Sequence, residues 1–471
     1  MNWVGVAPAA PYFVTDDGAA WTPIGQNEAL SWTEWHWLWS GADAEVAGHL
    51  AWLRAHGVTV LRFMLEYAET GTHFFEAPDG TPNPALVAAW DRLIPLVEAA
   101  GLRLLLTPLD TYFQWVRWDQ HPFNTANGGP CGARTQLMTH PAVRARIKAR
   151  LEFATRRWGG SGVIFAWDLW NEMHPVQGED RPGVFDDYIN DVGPFLRNLE
   201  CQVHGRAHPQ CVSVFGPELH WKPWLNEPVF RHPLLDFANN HFYEEGTIDH
   251  PADTVAPAIA MGKLVREALA EITDGRPFFD SEHGPIHTFK DHGITLPEAF
   301  DDEYFRHCQW AHLASGGAGG GMRWPNRDPH ALTPGMRRAQ AALAGFLPLI
   351  DWPRFQRCPL EVTAPGVACF ACGDGQQAVL WLLRTGLAAD GRVDRSVTGP
   401  VTLHVPRMSG TATLWDTQAG TVIGTTQVQH GKLTMPLVGA DVAVALSARS
   451  ASGAAGTRCA SGQGAVIVTR R

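Results

Sequence analysis

Asp43–Met64 reads DAEVAGHLAWLRAHGVTVLRFM, and its two halves carry different periods. In the first, Val46, Leu50 and Leu53 recur at i, i+4 and i+7, one face of a helix capped by Asp43 and stopped at Gly57. In the second, Val58–Met64 (VTVLRFM) is a short β-branched run, which predicts a strand. The couplet then repeats. Asn83-Pro84 supplies an N-cap and a first-turn proline to a helix through Leu86, Trp90, Leu93 and Val97; it ends at Gly101 and feeds the strand Arg103–Leu109 (RLLLTPL).

Working outward, Thr22–Asn27 (TPIGQN) is a first strand ahead of this pair. A helix after Thr139 leads to Val163–Trp170 (VIFAWDLW), and one around 185–203 leads to Cys211–Gly216. Leu235–His241 makes a sixth strand. A helix around 254–272 precedes Pro277–Glu282 (PFFDSE), and one from Pro297 to about Ser315 precedes the glycine-rich Gly319–Trp324. Thr333-Pro334 opens a last helix. Eight strands with helices between them predict a (β/α)8 barrel over residues 1–354. A doubly wound sheet is the alternative, but its usual strand count is about six. The run Gly316–Gly321 lacks the ending of a phosphate loop and precedes a strand, so it reads as close backbone packing.

Beyond Phe355 the texture changes. Short runs (AVLWLLR, VTLHV, ATLWD, KLTM, DVAVAL) alternate with Gly, Pro and Asp turns, predicting an accessory β-sandwich of about seven strands over 355–448. Trp381 and Trp415 lie inside such runs and read as core. The Gly/Ala/Ser-rich tail 449–471 reads as disordered.

Composition removes several function classes. Of 471 residues, 45% are hydrophobic and 18% charged, which excludes a disordered chain. The net charge of −11 argues against a nucleic-acid partner. No apolar run approaches ~18 residues, so no membrane span or membrane partner is expected. Met1-Asn2-Trp3 opens without a basic or apolar leader, which leaves cytoplasmic and secreted locations both open. The eight cysteines are scattered; the single CxxC, Cys369–Cys372, falls in a strand and reads as packing rather than metal or redox work. No metal or other cofactor is expected, because the 21 histidines form neither a His-x-His at strand one nor an HExxH.

The candidate chemistry sits at the carboxyl ends of the strands. Those ends offer Arg62 (strand two), Asp110 (three), Asn171-Glu172 (four), His241 and Tyr243 (six), Asp280, Glu282 and His283 (seven) and Trp324 (eight). Glu172 and Glu282 are the sharpest signal, since cleaving a glycosidic bond takes one carboxyl to protonate the leaving oxygen and another to attack or to activate water. A cation beside Glu282 would lower its pKa, whereas an acid at Glu172 needs a raised one. The 20 tryptophans offer flat faces suited to sugar rings, notably Trp35 in the Trp32–Trp39 cluster and Trp115 in the long segment between Asp110 and Thr139. That cluster could equally be core on a helix face.

Trp170-Asn171-Glu172 and Ser281-Glu282-His283-Gly284 resemble the clan of retaining glycoside hydrolases with glutamates on strands four and seven, in particular glycoside hydrolase family 5 (cellulases, mannanases and relatives). The resemblance covers about residues 20–350. It implies that Glu172 is the acid/base and Glu282 the nucleophile, with a β-linked glycan or oligosaccharide as substrate. It further implies that Asn171 holds the sugar 2-hydroxyl, Arg62 orients Glu282, His241 and Tyr243 steer Glu172 and Glu282, and Trp324 floors the −1 subsite. Two departures stand out: Asp110 occupies the place of the family's strand-three histidine, and Met173 follows Glu172 where the family often has proline. A catalytically silent carbohydrate-binding barrel is the alternative function.

Overall fold

The computed structural model describes residues 1–67, 74–244, 246–286, 295–397, 399–405, 408–437 and 439–448. A short antiparallel sheet, Val4–Val6, Phe13–Thr15 and Ala20–Trp21, precedes the barrel. The barrel strands are β1 (Gly25–Glu28), β2 (Val60–Met64), β3 (Arg103–Thr107), β4 (Ile164–Asp168), β5 (Gln210–Cys211), β6 (Ala238–Phe242), β7 (Phe278–His283) and β8 (Met322–Arg323). All pair in parallel, in the order β5-β4-β3-β2-β1-β8-β7-β6. The ring closes just past β5, where Phe215 bridges His241 and the His241 N–H donates to the Val214 carbonyl at 3.1 Å.

The outer layer is α1 (Asp43–Ala55), α2 (Pro84–Ala99), α3 (Pro141–Trp158), α4 (Val184–His204), α5 (Pro217–Trp221), α6 (Ala256–Glu271), α7 (Glu298–Ala314) and α8 (Pro334–Phe346). Val46, Leu50 and Leu53 form the buried face of α1. Asp43 does not cap it: Ala42 holds the N-cap position, and the Asp43 carboxylate lies 3.6 Å from Arg92. On α2 the expected cap is present, the Asn83 side chain accepting from the Ala85 and Leu86 N–H groups. Gly319 explains the glycine run before β8: its φ is +83°, and a Cβ there would stand 2.0 Å from the Pro23 carbonyl oxygen.

The C-terminal region is a β-sandwich with eight strands among the described residues, one more than the sequence suggests: β9 (Cys358–Pro359), β10 (Val367–Gly373), β11 (Gln377–Arg384), β12 (Gly399–His404), β13 (Gly410–Asp416), β14 (Thr421–Val428), β15 (Lys432–Leu437) and β16 (Asp441–Ala448). The six-stranded sheet β9-β10-β11-β16-β13-β14 faces the β12-β15 pair. Strand alternation divides its side chains cleanly. Ala371, Leu380 and Val444 enter the sandwich core. Phe370, Cys372, Trp381 and Ala443 join the barrel core through α7. With both faces covered, β11 and β16 read as continuous apolar runs. The same alternation sends Cys369 and Cys372 to opposite faces, so the CxxC cannot chelate, and burial pushes these thiols up to about 11 and about 12.

Candidate active site

A cleft opens over the carboxyl ends of the strands, with Glu172 and Glu282 among its lining residues. Arg62, inside β2 and almost wholly buried, ties the two strand ends together. One of its terminal nitrogens donates to Glu282 Oε2 at 2.8 Å and Asn27 Oδ1 at 2.8 Å; the other donates to Asp168 Oδ2 at 2.9 Å and Asn171 Oδ1 at 2.5 Å. Asn171 in turn donates to Asp110 Oδ1 at 3.2 Å. A planar guanidinium can make these bonds at once, which a lysine cannot.

The glutamates differ in their partners. Glu282 accepts from Arg62 on Oε2 and from the Tyr243 hydroxyl on Oε1 at 2.7 Å. Glu172 meets His241 Nδ1 through Oε1 at 2.9 Å, and its other oxygen makes no hydrogen bond among the described residues. His241 Nε2 lies 3.0 Å from Ser281 Oγ. Ser281 is the extra residue of a bulge: Asp280 pairs with Asn240 and Glu282 with His241. Bulges re-aim strand side chains.

Burial dominates the electrostatics. It pushes the Glu172 carboxyl up to about 7 against the lowering pull of Arg62. The expectation that Arg62 would hold Glu282 low is corrected: desolvation and the Glu172 charge raise it despite His241, Arg62 and Tyr243. Arg62 divides its charge between Asp168 and Glu282, so it cannot offset the full burial of Glu282. Burial brings His241 down to about 4, leaving a neutral ring near pH 7.

Asp110 lines the cleft as well, but both its oxygens cap the short helix Thr111–Val116, accepting from Tyr112 and Phe113 N–H at 3.1 and 3.0 Å. Burial pushes its carboxyl up to about 7. Trp324 stands in the cleft wall, edge-on to Trp32 at 5.2 Å. Trp32 stacks on His330 at 4.8 Å, which also lines the cleft.

Two tryptophans proposed from sequence lie elsewhere. Trp35 is fully buried against Phe63, its indole N–H donating to Glu28 at 2.9 Å. The Trp115 ring is already covered by the Arg134 guanidinium, 3.5 Å from its centroid. Of the long loop, Tyr112 and Phe113 reach the cleft, whereas Trp118 stacks on His121 behind it. Met64, Tyr67, Phe215, Ile286 and Asn326 complete the wall and were not singled out in the sequence. Met64, Tyr67 and Phe215 directly end or follow barrel strands, a position that could have marked them.

Glu172, His241 and Glu282 bring potential ligand atoms within 4.8 Å of one another. A cation there would meet the Arg62 guanidinium already bonded to Glu282, so the charge arrangement favours a reacting pair over a metal site.

No family model matches the chain. Mannan endo-1,4-β-mannosidase A of Aspergillus aculeatus is 27% identical over 111 residues, which are 23% of this chain and 28% of that protein. A solved glycoside hydrolase matches 95% of this chain and 97% of its own, with a TM-score of 0.57 at 13% identity. A glycoside hydrolase family 5 mannosidase from Rhizomucor miehei gives 0.50 at 14% identity, over 69% of this chain and 85% of its own. An exo-β-1,4-mannosidase from Opitutaceae bacterium strain TAV5 gives 0.51 at 16%, over 71% and 61%. These likenesses establish a shared fold: the chain has the (β/α)8 barrel of these glycoside hydrolases.

Proposed function

We propose that the protein is a retaining β-glycosidase acting on a poly- or oligosaccharide by double displacement, with Glu172 as acid/base and Glu282 as nucleophile. The observation that carries this reading is the approach of the two carboxylates, oxygens within 4.8 Å of each other. Retaining pairs lie about 5–5.5 Å apart, whereas inverting pairs leave about 6.5–9.5 Å for a water.

In the first step Glu282 attacks the anomeric carbon while Glu172 passes its proton to the departing glycosidic oxygen. The neutral His241 ring, donating from Nδ1 to Glu172 Oε1 and accepting from Ser281 at Nε2, leaves the open carboxyl oxygen to carry that proton. The product is a glycosyl ester on Glu282. Esterification removes the Glu282 charge, which lowers the Glu172 pKa and turns it into a base. Water then gives a proton to Glu172, attacks the anomeric carbon and releases Glu282 as a carboxylate. Arg62 and Tyr243 hold Glu282 throughout; Asn171 and Trp324 line the cleft, and to them the 2-hydroxyl contact and the subsite floor are assigned.

The test is product release from β-glycans and aryl β-glycosides, β-mannans first because several similar proteins are mannosidases. Wild type is expected to release sugar and Glu282→Gln to lose at least about 10³-fold in kcat. Sugar binding by calorimetry without turnover in wild type would instead favour a carbohydrate-binding barrel.

A further inference from the structure

We infer that Ser213 and Thr111 are positioning residues which aim the Glu172 carboxyl by clamping the backbone of Glu172 itself; this rests on Glu172 being the acid/base. Glu172 has φ +49°, a left-handed conformation that residues with a Cβ adopt only when their surroundings enforce it. Two hydroxyls from neighbouring strand ends supply that enforcement.

Ser213 follows β5 and is wholly buried. Its Oγ accepts the Glu172 N–H at 3.0 Å and donates to Asp168 Oδ2 at 2.7 Å. The Asp168 oxygen it meets also accepts from Arg62, so the position of the Glu172 peptide is referenced to the same guanidinium that holds Glu282. On the other side Thr111 follows Asp110 and opens the short helix just past β3. Its Oγ1 lies 2.8 Å from the Glu172 carbonyl oxygen and 2.6 Å from that of Asn171, and it accepts from Trp170 Nε1 at 2.8 Å. Glu172 is thus held at its N–H by Ser213, while its carbonyl and that of Asn171 share the one Thr111 hydroxyl proton.

Removing the Ser213 hydroxyl leaves a buried N–H without an acceptor, and the strained residue is then free to relax toward negative φ. That rotation swings the Cα–Cβ bond of Glu172 away from His241 and the leaving oxygen. Glu282, on β7 with its own partners, keeps its place. The defect therefore falls on proton donation, not on nucleophilic attack.

The experiment compares kcat/KM for dinitrophenyl and phenyl β-glycosides of the sugar the wild type releases. A dinitrophenolate departs without protonation, and a phenolate requires it. Ser213→Ala is expected to raise the dinitrophenyl-to-phenyl ratio by about tenfold or more, a part of the ~10²–10⁴ that general acid catalysis supplies. Thr111→Val, of similar volume but without the hydroxyl, shifts the ratio in the same sense. Both rates come from one preparation, so the ratio does not depend on the fraction folded. Wild-type ratios in both variants, whether activity is lost evenly or not at all, overturn the clamp. A Glu172→Gln variant with an unchanged ratio overturns the acid/base assignment and the clamp with it.

Discussion

At the scale of single residues, the site is a set of buried charges whose protonation the fold has shifted, and two outcomes follow for Glu172. Its carboxyl titrates at about 7, so kcat/KM should fall above that pH as the acid loses its proton. On the acid side the rate should fall as Glu282, itself raised, takes up a proton. A pH–rate profile that stays flat through the neutral range would contradict this assignment. The second outcome concerns stability. A carboxyl at 4.5 unfolded and about 7 folded contributes stability that is present below 4.5 and lost as pH rises to 7, on the order of 3 kcal/mol when complete. Glu172→Gln should therefore raise Tm at pH 8 and leave it nearly unchanged at pH 4, as read by calorimetry. The pair and its polar partners were legible in the sequence because strand ends in a barrel converge whatever lies between them. The sign for Glu282 was not, since one cation in view says nothing of how many carboxylates share it or how deep they lie.

At the scale of elements, helices were the most legible part, because a buried face leaves a period in the sequence. The cap of α2 is an example: Asn83 and Pro84 announce it in two residues. Strand lengths were less so. β8 extends over Met322–Arg323 alone, and its neighbourhood is set by glycines that let backbones approach, a property with no periodic signature. The cleft wall was hardest, since Tyr67 and His330 sit on loops and Phe113 on the short helix Thr111–Val116, too brief to show a period. Trp35 illustrates the other difficulty: its cluster suited a sugar platform or a core equally well in sequence, and the ring packs beneath α1. Its indole closes a polar pair with Glu28, whose carboxyl burial pushes up to about 8. Trp35→Ala is expected to cost about 3–5 kcal/mol, the range for buried large-to-small changes. KM of the folded variant in the proposed reaction should stay within about twofold. Denaturant titration and steady-state kinetics on the same variant check both halves, and a raised KM at unchanged stability would restore Trp35 to the sugar site.

At the scale of the whole molecule, the sandwich is bound to the barrel by a common core. One face of its six-stranded sheet enters the same apolar cluster as the barrel helices, and α7 is buried along nearly its whole length between them. At the centre lies Asp441, a sandwich residue that accepts from Trp381 Nε1 at 2.9 Å and from Arg306 of α7 at 3.1 Å. Trp415 adds a hydrogen bond to the Ala342 carbonyl of α8 at 3.1 Å. Glu303 of α7 likewise receives the Val393 N–H at 2.8 Å and Arg395 at 2.6 Å. Removing the sandwich would uncover His307 of α7, whose ring lies 5.6 Å from that of Trp381, and leave Arg306 and Glu303 without their partners. The sandwich is therefore expected to act as a structural part of the barrel. Trp381→Ala should lower stability by about 3–5 kcal/mol through the lost volume and the freed Asp441 oxygen. Heat should still unfold the variant in one transition, with the proposed activity and the β-sheet signal lost together at the lower Tm. Two separate transitions, with activity surviving the first, would mean that the barrel stands without the sandwich.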